Sequence, residues 1–174
     1  MRPRRLHDKD SLQKMPGLAV PILNMSSAVV AALNAASLSQ DFTAVSKYVP
    51  KFDLSSTSTV QVQVVPKSDA REMETAATDA ADIVIDIGVY KKLSGTIANE
   101  DTEIAGMLSL CEEIKTVFNR KRLGTVDYAV CVKMDHNPIY SVENIDESRA
   151  FLSVITTYWR GSLELLQHYI HVAG

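Results

Sequence analysis

The clearest pattern of hydrophobic and polar positions in this chain lies at residues 81–93. Branched apolar side chains occupy every second position (Ile83, Ile85, Ile87 and Val89), and the positions between them include Asp82, Asp86 and Tyr90. Alternate residues of a β-strand point to opposite faces, and branched side chains suit a pleated surface. The pattern therefore predicts a strand with one face on the core and the other open to water or to another subunit.

Two weaker alternating patterns lie upstream of this strand. Residues 41–48 predict a first strand or a strand-like connection. Residues 59–65 alternate valines with glutamines, which predicts a strand with its valines inward, its glutamines outward and antiparallel pairing to residues 82–93. Because proline has no backbone N–H, Pro66 is expected to end that strand. The polar, alanine-rich residues 67–80 then predict a long connection.

Two segments near the end of the chain also alternate. Residues 125–134 predict a strand with its larger side chains on one face: Val126, Tyr128, Val130, Val132 and Met134. Residues 150–160 predict a last strand, with Phe151, Ser153, Ile155, Thr157 and Trp159 on one face and Leu152, Val154, Thr156 and Tyr158 on the other. Apolar residues on both faces are typical of a central strand or of one covered by a partner. Residues 162–170 predict either a short helix or an extension of this strand.

A helical period appears twice. Apolar side chains recur at intervals of three and four in Ile104, Met107, Cys111, Ile114 and Phe118, which predicts a long amphipathic helix. Asn99 or Asp101 is the expected N-cap, and Gly124 the expected C-terminal stop. A shorter helix is predicted from an N-cap at Ser26 or Ser27 to about residue 38, and a helical turn near Asp146.

The order of these elements indicates the fold class. Strands come in runs that helices separate, which predicts an α+β fold rather than an alternating α/β fold. We expect a mainly antiparallel sheet with one long helix packed across it and a short N-terminal helix. The chain divides into a basic arm (residues 1–24), a folded domain (residues 25–162) and a C-terminal extension (residues 163–174).

Charge is distributed unevenly between the arm and the body. Residues 1–24 carry five basic and two acidic side chains, a net charge of +3, so the remainder carries −6 of the total of −3. Arg2, Arg4 and Arg5 are the candidate contacts of the arm with nucleic acid or an acidic neighbour, although a solvated, flexible terminus is the preferred interpretation. No apolar run reaches the roughly 20 residues that a membrane span needs, so no membrane association is expected.

Motifs for catalysis are not found in the sequence. It contains no Gly-x-Ser-x-Gly, Walker or dinucleotide-binding motif, and Cys111 and Cys131 are expected to be reduced core thiols. His168 and His171 share a helical spacing, but no cluster of Cys, His, Asp or Glu completes a metal site around them. Asp82 is about 13 Å from Asp86 along a strand, too far for two carboxylates to act on one glycosidic bond. We therefore expect neither an enzyme nor a cofactor.

The open faces of two predicted strands are the candidate functional surface. The residues proposed to meet another subunit or partner are Asp82, Asp86, Tyr90, Leu152, Val154, Thr156 and Tyr158. Such a surface fits a protein that functions through assembly.

Several local strings resemble a family of tailed-phage neck proteins of the tail terminator, or tail completion, type. These strings are Asp41-Phe42-Thr43-Ala44-Val45, Ile87-Gly88-Val89-Tyr90-Lys91-Lys92-Leu93, Leu110-Cys111-Glu112-Glu113-Ile114, Asn137-Pro138-Ile139-Tyr140, Glu147-Ser148-Arg149-Ala150-Phe151 and Thr156-Thr157-Tyr158-Trp159-Arg160. The resemblance covers roughly residues 26–162. The arm and the C-terminal extension lie outside it.

The resemblance implies a structural virion protein and its partners. Such a protein forms a homo-oligomeric ring, expected to be a hexamer, that caps the tail tube and joins the tail to the head-tail connector proteins. DNA would pass through the lumen without specific binding, and the protein would be located in the virion neck after assembly in the host cytoplasm. Two alternatives remain: a head-closure or adaptor protein on the portal side, and a small ligand-binding domain or hydrolase with a polar pocket around Asp135 and His136.

Overall fold

One mixed sheet with helices packed against it forms the fold. The computed structural model describes residues 21–52, 59–75, 78–94, 97–124 and 126–164. The helices are α1 (Pro21–Ala35), α2 (Ile97–Phe118) and α3 (Val142–Ser148), and the strands are β1 (Ala44–Ser46), β2 (Gln61–Met73), β3 (Thr78–Lys92), β4 (Arg122–Leu123), β5 (Val126–Asp135) and β6 (Ala150–Glu164). The strand order is β1-β2-β3-β6-β5-β4, with β1 parallel to β2 and the other pairings antiparallel. The predicted α+β fold is confirmed.

The core lies between one sheet face and the helices. All four alternating apolar residues of β3 are buried, as are the five residues from Phe151 to Trp159 that were predicted to share one face of β6. Along α2, the predicted stripe from Met107 to Phe118 is buried, while Ile104 is half-buried. Phe118 meets Trp159 edge to face, with ring centroids 5.8 Å apart. The long helix therefore packs across β6, as its periodicity predicted.

Helix boundaries differ from the predicted ones. Helix α1 begins at Pro21, inside the segment assigned to the arm, because proline is favoured in the first turn, where its missing N–H has no helical partner. Ser26, a predicted cap, is instead buried in α1 and hydrogen-bonds Ser46 through the two hydroxyls at 3.0 Å. Helix α2 begins at Ile97 and ends at Phe118, so Gly124 does not end it. The rest of the predicted arm lies outside the described residues.

Strands β2 and β3 form one long hairpin. The predicted antiparallel pairing is confirmed, but the two prolonged strands continue through most of the segment predicted as a connection, residues 67–80. Strand β1 is shorter than residues 41–48 predicted, with three residues paired to β2.

Pro66 does not end β2, contrary to expectation. The pairing shifts register between Pro66 and Ser68, which indicates a bulge there. Val64, two residues earlier, accepts a hydrogen bond from Lys47 N–H on the β1 side. Because backbone groups alternate in direction along a strand, Pro66 also faces that side, beyond the end of β1. Its missing N–H thus leaves the β2–β3 ladder intact.

Strand β5 does not keep on one face the five residues that its sequence pattern grouped there. Val126 is buried, but so are Ala129 and Cys131, whereas Val132 is 52% exposed and Val130 is half-buried. The phase of the alternation changes after Val126, where pairing with β4 shifts register, and changes again where pairing with β6 shifts between Cys131 and Lys133. Beyond the second shift, Met134 packs against the core again.

The end of the chain resolves an alternative that the sequence left open. Strand β6 continues to Glu164, so residues 162–164 extend the strand rather than form a helix. Residues 165–174 lie outside the described part. Among the described helices, none combines the length and the apolar character needed to cross a membrane.

Candidate functional site

The face of the sheet opposite the core carries the candidate site. Asp82, Val84 and Asp86 of β3 lie directly opposite Arg160, Tyr158 and Thr156 of β6, and Gly88 lies opposite Val154. We call this set of residues, without Gly88, the open face. Each of its side chains is exposed or half-buried. The strand register therefore joins on one surface the predicted site residues Asp82, Asp86, Val154, Thr156 and Tyr158.

Tyr90 does not belong to the accessible surface, although it was predicted there. Its side chain is only 4% exposed because Phe52 stacks on it, with ring centroids 5.1 Å apart. A Cβ on the neighbouring Gly88 would lie 2.9 Å from Phe52 Cζ, so the glycine leaves room for this ring. Leu152, opposite Tyr90, is half-buried at the same end.

A buried glutamine holds the chain segment that covers this end. Gln63 lies opposite Gly88 and was predicted to face outward, but it is 4% exposed. Its Oε1 accepts a hydrogen bond from Lys51 N–H at 3.0 Å, and its Nε2 donates to the Lys51 carbonyl oxygen. The side-chain amide thus pairs with Lys51 through one donor and one acceptor, as the backbone of a neighbouring strand would. The segment that contains Lys51 covers one end of this sheet surface, and the open face lies beyond that end.

The two carboxylates of the open face are held by different partners. Arg160 donates to both oxygens of Asp82, with Nε to Oδ1 at 2.7 Å and Nη2 to Oδ2 at 3.2 Å. This hydrogen bonding lowers the pKa of Asp82 below its usual value. Asp86 accepts a hydrogen bond from the Thr156 hydroxyl at 2.7 Å and lies 3.1 Å from Lys67 Nζ. Both carboxylates are therefore fixed in direction and neutralised by cations.

A second polar group borders Tyr158. Lys133 Nζ lies 5.0 Å from the centre of the Tyr158 ring and 2.8 Å from Asp135 Oδ2. Hydrogen bonding from Lys133 and then from the Tyr158 hydroxyl lowers the pKa of Asp135. The same hydrogen bond to Asp135 raises the pKa of Tyr158. Tyr158 is therefore held at its ring and at its hydroxyl, and its side chain is half-buried.

The open face combines apolar and neutralised charged groups. Val154 is 41% exposed, and Val84 is half-buried beside Tyr158. Because its charged groups are already paired, few charges on this surface would be left without partners if another protein excluded water from it. Sequence reasoning missed Lys67, Lys133 and Arg160, because only the strand register shows which carboxylate each cation meets.

Asp135 and His136 do not form the common pocket that the hydrolase alternative requires. Asp135 accepts a hydrogen bond from Lys133, beside the open face. His136 Nε2, in contrast, lies 2.6 Å from the hydroxyl of Ser153, which is buried on the core face. That hydroxyl donates to the Ile139 carbonyl at 2.8 Å and accepts from Cys111 Sγ at 3.7 Å. His136 Nε2 must then donate to Ser153, which is opposite to the direction that a general base needs.

Burial shifts the pKa of His136 and of the two cysteines. Desolvation lowers the pKa of His136, and its buried Nδ1 has no hydrogen-bond partner within the described residues. Desolvation also raises the pKa of the Cys111 thiol, and that of Cys131 to about 11. Both cysteines are free and buried, as predicted for reduced core thiols.

A separate groove of about 480 Å³ lies beside β1 and β2. Its lining is formed by residues 41–43, Val45 and residues 59–63, among which Asp41 is the single ionisable side chain. No group of three or more Cys, His, Asp or Glu residues suited to a metal occurs in the part of the chain that the structure describes. His168, His171 and the arm residues Arg2, Arg4 and Arg5 lie outside that part.

Comparison with known proteins adds no family assignment. The chain matches no protein-family model, and no curated protein sequence is significantly similar to it.

Proposed function

We propose that this chain is a structural protein of the phage neck, of the tail terminator type, that forms a ring on the tail tube and joins the tail to the head connector. The proposal assigns no catalytic reaction and no cofactor to the chain. Its partners would be further copies of itself, the tail tube protein and the head-tail connector proteins. The α+β fold with a mainly antiparallel sheet agrees with the expectation that the resemblance raised.

The open face is the observation that carries this proposal. It presents Val84, Val154 and the Tyr158 ring beside carboxylates whose charges are already paired. Subunits of a ring meet head to tail, so each protomer must offer surface that its own core leaves free. The open face is such a surface within the described residues, and the exposed Val154 lies at its apolar end.

The charge balance supports the passage of DNA. With −6 on residues 25–174, the body of the protein is acidic, and an acidic lumen would repel the phosphate backbone at short range. A ring lumen lined mainly with Lys and Arg would contradict this part of the proposal.

Electron microscopy of the purified chain, alone and with purified tail tube protein, tests the proposal. We expect closed rings, either free or at the ends of tubes. Val154→Asp places a charge without a partner on the open face and should abolish them. Val142→Asp is the matched control, because Val142 is 60% exposed at the start of α3, where an acidic side chain suits the helix dipole.

Two results would contradict the proposal. One is a chain that stays monomeric and does not bind tube ends. The other is Val154→Asp forming the same rings as the unchanged protein. Binding to purified portal protein instead of tube protein would move the chain to the portal side of the neck.

A further inference from the structure

The outer edge of the β2–β3 hairpin is a second surface that has no partner among the residues that the structure describes. Strand β1 pairs with β2 only as far as Val64, so residues 68–73 of β2 pair with β3 alone in the described part of the chain. All six of these residues are exposed, and Met73 is 78% exposed. An exposed strand edge of this length is a template for pairing with another extended chain.

The hairpin turn shows which backbone groups point outward. Glu74 N–H donates to the Thr78 carbonyl at 3.0 Å, one step beyond the last ladder pair, Met73 and Asp79. Backbone groups alternate in direction along an antiparallel strand, so residues 72 and 70 face β3. The N–H and C=O groups of Asp69, Arg71 and Met73 therefore point away from the sheet. None of them has a hydrogen-bond partner among the described residues.

Side chains on this edge have a self-complementary charge order. Asp69 and Arg71 are two residues apart, so they share one face of the strand, and Arg71 Nη2 lies 3.0 Å from Asp69 Oδ2. Ala70 lies between them. If a second copy of the strand is placed antiparallel with its Ala70 opposite this one, each aspartate faces an arginine of the other copy.

We propose that the outer edges of β2 from two copies of this chain pair antiparallel about a two-fold axis at Ala70. Asp69 then exchanges both backbone hydrogen bonds with Arg71 of the partner subunit, and the symmetric pair does the same. The two sheets become continuous, and both Asp69–Arg71 pairs across the new contact join opposite charges, the arrangement that stabilises antiparallel ladders. The charge order selects a second copy over an unrelated extended peptide, because it is complementary to itself.

This contact is separate from the open face and does not depend on the proposed ring. Two-fold pairing is isologous, whereas a ring contact is heterologous, so a chain that makes both would join two rings back to back. Whether the chain forms a simple dimer or two joined rings, loss of the edge contact halves the mass of the particle. The mass is therefore the quantity to measure.

Sedimentation velocity of the full chain over a range of micromolar concentrations tests the pairing. Asp69→Arg and Arg71→Asp each place like charges opposite one another twice, and each should weaken self-association by roughly tenfold or more. An equimolar mixture of the two variants restores opposite charges at every position and should restore the doubled mass. Glu72→Arg makes the same charge change at an exposed neighbouring residue and should have little effect.

A proline variant removes a backbone donor of the same contact together with its cation. Arg71→Pro removes an N–H that points outward and not toward β3, so the hairpin should fold normally while the edge contact weakens by a similar factor. Circular dichroism and thermal unfolding report whether the hairpin has folded. The proposal is overturned if the unchanged chain never doubles its mass, if the single charge variants associate as it does, or if their mixture stays dissociated.

Discussion

Gly161→Ala is the substitution whose effect the structure predicts most directly. Gly161 lies in β6 between Ala81 of β3 and Ala129 of β5, at a point where the strands approach closely. A Cβ at this position would lie 2.1 Å from the Tyr128 carbonyl oxygen and 2.8 Å from Ala129 Cα. Both atoms belong to the backbone, so no side-chain rotation can relieve the overlap. The β5–β6 pairing has to shift.

The expected cost follows from that overlap. Forcing one extra carbon into a packed interior costs about 1–3 kcal/mol, and we expect the upper end because rigid backbone forms the obstacle. Gly106→Ala is the matched control, since a Cβ there meets no atom within 4 Å. Gly106 lies inside α2, where alanine is favoured over glycine by about 0.5–1 kcal/mol. The same chemical change should therefore have opposite signs at the two sites.

Urea unfolding measures both effects in one series. The chain contains a single tryptophan, Trp159, which is buried two residues before Gly161 and reports unfolding by its fluorescence. We expect the free energy of unfolding to fall for Gly161→Ala and to rise for Gly106→Ala. A Gly161→Ala protein as stable as the unchanged one would refute the close approach of β5 to β6.

Three further predictions concern buried polar groups. The neutral His136 in the folded state has a pKa below 6.5, the value expected when unfolded, so stability is complete above pH 6.5 and falls as the pH drops through the lower pKa. Urea midpoints measured one pH unit above and one below 6.5 should show this loss, and His136→Gln should reduce it. Thr157→Val leaves Trp159 Nε1 without its acceptor at 2.9 Å and should cost about 1–3 kcal/mol, with a shift in tryptophan emission. Because burial raises both thiol pKa values, Cys111 and Cys131 should react with a thiol reagent at mildly alkaline pH only after unfolding. Rapid labelling of the native protein would contradict that assignment.

The long periodic segments were predictable for a simple reason. Residues 83–89 of β3 and the buried stripe of α2 repeat one pattern over several residues, and burial of that pattern decides the local structure. The division of β6 residues between the two faces of the strand was also predictable. The central place of this strand in the sheet explains why neither face is strongly polar.

Errors occurred where pairing overrode local preference. Pro66 lies within a strand because its missing N–H faces the side beyond β1, and no local signal reveals which way that group points. Two register shifts, one after Val126 and one at Cys131 and Lys133, take Val130 and Val132 off the face that alternation gave them in β5. Tyr90 is buried because Phe52, far from it in sequence, stacks on its ring.

By itself, the sequence determined the core face of β3 and the face of the long helix that meets the sheet, because side-chain period follows from local backbone geometry. It also placed Asp82, Asp86, Val154, Thr156 and Tyr158 on open strand faces. Only the tertiary structure decided that β3 lies beside β6, that Arg160 and Lys67 neutralise the two aspartates, and that residues 68–73 of β2 have β3 as their single strand partner within the described residues. Those features depend on contacts between residues distant in the chain, whose register is fixed by the packing of the whole sheet.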